Sequence, residues 1–108
     1  SPNVYTYGIG IKAFCRKGTL EEAVDVFEKM DDAGVTPNNF TYSTCLEGLC
    51  SHGRSDLGYQ LLIAWSRESV PIDAYAYTAV LRGFVNENKL KEAEEVLLKM
   101  EEHGLMPD

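Results

Sequence analysis

Apolar residues near the start of the chain recur with helical spacing. Tyr7, Ile11, Phe14 and Cys15 stand at i, i+4, i+7 and i+8, which places them on one face of a helix. Gly18 breaks this pattern, and Thr19 followed by Glu22 forms a capping box for a second helix. That helix places Leu20, Ala23, Val24, Phe27 and Met30 on one face. Gly34 supplies a C-terminal cap and Pro37 a breaker. The first 38 residues therefore predict a helix–turn–helix.

The same pattern returns at a lag of 35 residues. Tyr7, Tyr42 and Tyr77 align, as do Ile11, Leu46 and Leu81, and Phe14, Leu49 and Phe84. In the second helices Val26, Leu61 and Val96 correspond, then Met30, Trp65 and Met100, and finally Asn38, Asp73 and Asp108. The units run 4–38, 39–73 and 74–108, with residues 1–3 matching the tail of a preceding unit. The third unit repeats the apolar face with Leu90, Ala93, Leu97 and Met100, and Asn88 stands where the first unit has a glycine. The middle unit departs most. Ser55 and Gly58 replace Leu and Ala, Ser69 replaces the capping glycine, Pro71 comes one place early, and Trp65 fills the volume of a Met.

One helix pair cannot bury both its faces, so the units must stack on a shared core. The fold class predicted is all-α, an α-solenoid of three tandem helix–turn–helix repeats. Ending at a unit boundary without a polar capping helix, the sequence reads as a piece of a longer array. Its two ends should expose apolar faces, which favours self-association.

Composition adds few constraints. An apolar fraction of 44% suffices for a core, and no apolar run approaches the ~20 residues needed to cross a bilayer. Cys15, Cys45 and Cys50 have no metal-type spacing and read as buried small apolar residues in a reducing compartment. His52 and His103 lack partners at catalytic or metal-ligand spacing, and both suit helix C-termini. No Gly-rich phosphate loop and no nucleophile elbow are present. The residues imply no cofactor, no metal and no catalytic activity.

The segments Thr6-Tyr7, Ala13-Phe14-Cys15-Arg16-Lys17-Gly18, Glu22-Ala23, Val26-Phe27-Glu28-Lys29-Met30 and Gly34-Val35-Thr36-Pro37-Asn38, set in a 35-residue unit, resemble the P-type pentatricopeptide repeat (PPR) of plant organellar proteins. The resemblance covers 105 of 108 residues. It implies a right-handed superhelix that binds single-stranded RNA, one base per unit, in a mitochondrial or chloroplast RNA-processing factor. In the family a base is chosen by the fifth and last residues of a unit. Here those pairs are Gly8 with Asn38, Ser43 with Asp73, and Thr78 with Asp108. The last two pairs imply guanine, whereas Gly8 lacks a side chain and takes the first unit off the code. Tyr5, Phe40 and Tyr75 occupy the base-flanking second position, where they either stack on bases or pack between units.

A net charge of −7 opposes RNA binding when taken whole. Its distribution changes the picture. The first helices carry +2, the second helices −7, and Asp73 with Asp108 the remaining −2. Lys12, Arg16, Lys17 and Arg82 on the first helices are the candidate phosphate contacts. Phosphate neutralisation supplies most nucleic-acid affinity, so four cations over three units predict weak binding. A protein-interaction scaffold is the alternative, because α-solenoids present concave surfaces to partners.

Overall fold

Asn3, Asn38 and Asp73 each stand immediately ahead of a helix and cap it. The side-chain oxygen of Asn3 accepts from the Thr6 amide at 2.9 Å, Asn38 from the Thr41 amide at 2.9 Å, and Asp73 from the Ala76 amide at 3.0 Å. Asn38 also donates its own amide to Thr41 Oγ1, closing a reciprocal capping box. Each contact satisfies an amide that has no partner inside its helix. Replacing Asn38 by Ala should therefore lower stability by about 1 kcal/mol, and by Gly only a few tenths. Chemical denaturation followed by circular dichroism checks both; equal losses for the two variants would place the effect elsewhere.

The computed structural model describes residues 3–15, 20–70 and 72–105, without the side chains of Tyr5, Lys12, Leu20 and Ala23. Among the described residues six helices follow one another: α1 (Val4–Phe14), α2 (Leu20–Asp32), α3 (Asn39–Ser51), α4 (Ser55–Arg67), α5 (Ala74–Asn86) and α6 (Leu90–Glu102). The expected cap at Thr19 and the breakers Pro71 and Pro107 lie outside the described residues. Helix ends share one solution. After α2 the Val35 amide donates to Met30 O at 2.8 Å, and after α4 the Val70 amide donates to Trp65 O at 3.0 Å. The residue between helix and amide takes a left-handed conformation in this motif. Gly34 does so at φ 76°, and Ser69, standing where glycine is expected, does so at φ 60°. Asn88, standing where the first unit has a glycine, takes the same conformation at φ 59°.

Helices α1, α3 and α5 pack in order as one layer, and each second helix lies against the first helix of its own pair. The molecule measures 41 × 27 × 20 Å, the elongated outline of stacked pairs. Ile11, Leu46, Leu49, Leu61, Leu62, Val80, Phe84 and Val96 fill the space between layers. Trp65 joins them, edge-on to Phe27 and Tyr42 at ring separations of 5.1 and 4.7 Å. The three cysteines are buried and unbridged, and burial pushes the Cys50 thiol up to about 11.

Neighbouring first helices touch where a cysteine side chain of one meets a glycine of the next. A Cβ added at Gly48 would lie 2.6 Å from Cys15 Sγ, and one at Gly83 would lie 2.8 Å from Cys50 Cβ. Both glycines therefore mark places where backbones approach closely. The departures in the middle unit belong to the same seam. Ser55 is fully buried and donates its hydroxyl and amide to the Glu87 carboxylate at the end of α5. A Cβ at Gly58 would sit 3.0 Å from Cys50 Sγ.

The apolar faces expected of the second helices need correction. Val24 is exposed, as are Leu90 and Leu97. Among aligned positions, Ser55 and Leu62 are buried where Leu90 and Leu97 are not. Helical periodicity groups such residues on a face, but burial requires a neighbouring element to cover that face. Val85 and Leu98 on α5 and α6 are exposed too.

Candidate nucleic-acid interface

Successive turns of α3 bring Phe40, Ser43, Thr44 and Glu47 onto one face, since residues three, four and seven apart share a side of a helix. Facing them is the start of α5, where Asp73 caps the helix and Tyr75 follows in its first turn. Between the two lies an open groove of about 350 Å³, lined by Asn39, Phe40, Ser43, Thr44, Glu47, Asp73 and Tyr75. It continues along α3 into a cleft reaching Gly48, Ser51 and His52. Phe40 is 64% exposed and Tyr75 is 54% exposed, whereas Ser43 is 8% exposed and sits deep between them. The groove thus has two aromatic flanks and a polar floor.

Electrostatically it is acidic. Glu47 and Asp73 both line it, and no cationic side chain does among its lining residues. One oxygen of Asp73 is committed to the Ala76 amide. The Tyr75 hydroxyl donates to the Glu47 carboxylate across the gap between α5 and α3. That bond, reinforced by the carboxylate charge, raises the phenol above its ordinary pKa. Hydrogen-bond acceptors beside flat apolar surfaces suit a planar ring with a donating edge. No group of His, Cys, Asp or Glu among the described residues could hold a metal ion.

The structure brings together Ser43, Asp73, Phe40 and Tyr75, the four positions that the family resemblance points to in and beside the middle unit. Elsewhere the picture is partial. A Cβ at Gly8 would enter open space, and Asn38 at the end of that unit is exposed. Thr78 is half-buried and donates its hydroxyl back to Ala74 O at 2.8 Å. Arg82 is exposed and shares a small cleft with Glu47, Ser51 and Asn86. Asp108, Arg16 and Lys17 lie outside the described residues, as do the side chains of Tyr5 and Lys12. His52 caps the end of α3, its Nδ1 at 2.7 Å from Gly48 O, and His103 ends α6 beside the Tyr77 ring.

Two features escaped the sequence reading. The junction residues are helix caps, which their place just ahead of each predicted helix would have revealed. Glu47 lines the groove, and its spacing of seven from Phe40 and four from Ser43 carries that information.

Comparisons with known proteins agree along the chain. Residues 1–51 match the PPR repeat family, residues 40–69 the PPR repeat, and residues 60–108 the pentatricopeptide repeat domain. A mitochondrial pentatricopeptide repeat-containing protein of Arabidopsis thaliana is 38% identical over 94% of this chain and 12% of its own length. A chloroplastic one from the same plant is 27% identical over 100% of this chain and 14% of its own. The chain thus spans about an eighth of either relative. Among solved structures, PPR10 from maize is similar with a TM-score of 0.80 at 23% identity, covering 100% of this chain and 16% of that one. PPR10 in complex with an 18-nt psaJ RNA element is similar with a TM-score of 0.81 at 28% identity and the same coverage. Matched from one end to the other by these repeat profiles, the chain belongs to the pentatricopeptide-repeat family.

Proposed function

We propose that this chain is a segment of a sequence-selective, single-stranded RNA-binding array in an organellar RNA-processing factor of mitochondrion or chloroplast. Each unit that carries both reading side chains reads one base. Ser43 and Asp73 meet the edge of a base flanked by Phe40 and Tyr75, and Thr78 with Asp108 serve the third unit. Gly8 leaves the first unit with Asn38 as its only reading side chain. Lys12, Arg16, Lys17 and Arg82 meet phosphates. The observation carrying this reading is the groove, which collects the two reading residues and both flanking aromatics of one site. An RNA-bound relative of the same fold supports it.

Few cations face the strand, so affinity should be low, roughly the 10⁻⁴–10⁻⁶ M of non-specific nucleic-acid binding, and should fall with salt. Fluorescence anisotropy with short single-stranded RNAs at low salt tests the reading. Guanine is the expected choice opposite Ser43 and Asp73. Asp73→Ala should remove that preference, and Thr78→Asn should shift one neighbouring position towards uracil. If every RNA binds alike and neither change alters the pattern, the surface serves as a protein-interaction scaffold.

A further inference from the structure

The 35-residue alignment places Glu47 where the flanking units carry Lys12 and Arg82. On the proposed reading both neighbours are phosphate contacts, so the middle unit has a carboxylate where a cation is expected. Phosphate attraction does not account for it. Its partner in the structure is the hydroxyl of Tyr75, which forms one flank of the groove. The Tyr75 side chain is more than half exposed, and an exposed ring that must order on binding weakens that binding by the entropy it loses. A hydrogen bond from the adjacent unit restrains the ring beforehand. Phe40 on the other flank has no hydroxyl to anchor. The Glu47 carboxylate also adds a second acceptor to the groove beside Asp73, which favours a base edge that donates and disfavours a phosphate.

Building on the base-binding reading, we infer that Glu47 is a positioning residue of the groove, fixing Tyr75 as a preformed stacking wall and biasing the slot towards a donor-rich base edge such as that of guanine. The Tyr75–Glu47 pair thus ties the geometry of one recognition site to residues from two successive units.

Three substitutions in the 108-residue chain, with short RNAs as probes, separate the possibilities. Glu47→Ala and Tyr75→Phe should each weaken binding of a guanine-bearing RNA by about threefold to tenfold, the effect of freeing one side chain. The double variant should be no weaker than Glu47→Ala alone, because Tyr75→Phe removes only a bond that Glu47→Ala has already removed. Nuclear magnetic resonance with ring-labelled tyrosine supplies a readout that needs no RNA. The Tyr75 ring should titrate above an ordinary exposed tyrosine in the parent chain and fall back in Glu47→Ala. Phe40→Ala distinguishes the two levels. If it weakens binding while Tyr75→Phe and Glu47→Ala do not, the positioning role fails and the base-binding reading stands. If Phe40→Ala also leaves binding unchanged, the base-binding reading fails as well. An unshifted Tyr75 titration in Glu47→Ala would overturn the anchor whatever the RNA results.

Discussion

Phe84→Ala should lower the unfolding free energy by about 3–5 kcal/mol, the range for truncating a buried aromatic. Phe84 is 1% exposed on α5, with the Tyr59 ring edge-on at 5.8 Å. It belongs to the core cluster that also contains Val80, Leu61 and Val96. Helix α5 packs against α3, α4 and α6, so the vacated volume cannot be closed by moving one element alone. Domains of this size are stable by only about 5–15 kcal/mol, so the loss removes a large share of the total. Urea denaturation followed by circular dichroism measures it. Phe84→Leu, which keeps most of the volume, should lose less than about 1.5 kcal/mol. A loss below about 1 kcal/mol for Phe84→Ala would mean that the α5 seam is looser than described.

The second large effect comes from adding atoms. Gly83→Val should destabilise the chain by about 3 kcal/mol, the upper part of the usual range for overpacking. Even its Cβ would lie 2.8 Å from Cys50 Cβ and would overlap the Ser55 hydroxyl. Cys50 Cβ is bonded directly to the backbone of α3, so relief requires moving a helix. Separating α3 from α5 would also stretch the Ser55–Glu87 pair, which holds the start of α4 to the end of α5. Gly8 provides the contrast. Nothing lies within 4 Å of a Cβ built there, so Gly8→Ala should stabilise α1 by up to about 1 kcal/mol through helix propensity. Thermal unfolding of the two variants should therefore move in opposite directions. Equal and small shifts would contradict the close approach at Gly83.

The helices and their register were legible because apolar residues recur with a helical period inside a 35-residue period. Both periods record what the backbone must bury. The exposure of Val24, Leu90 and Leu97 was not legible, because a stripe does not say what covers it. Ser55 and Gly58 look like blemishes when units are compared with each other. Their partners are Glu87 and Cys50, pairings between different positions of the repeat that a self-alignment cannot display. At the candidate site, the family resemblance pointed to Ser43, Asp73, Phe40 and Tyr75 through their fifth, last and second places in the unit. It passed over Glu47, whose contribution depends on the Tyr75 hydroxyl of the next unit.

Asp73 holds the first turn of α5 and also lines the groove, and Asn38 caps α3 in the same way. Any attempt to rewrite the ligand preference at these junctions therefore draws from a short alphabet. Only Asn, Asp, Ser, Thr and, with little loss, Gly begin a helix well. A residue chosen for its ligand alone would fray the very turn that aims it. Vocabulary at this position is set by helix chemistry before any partner arrives.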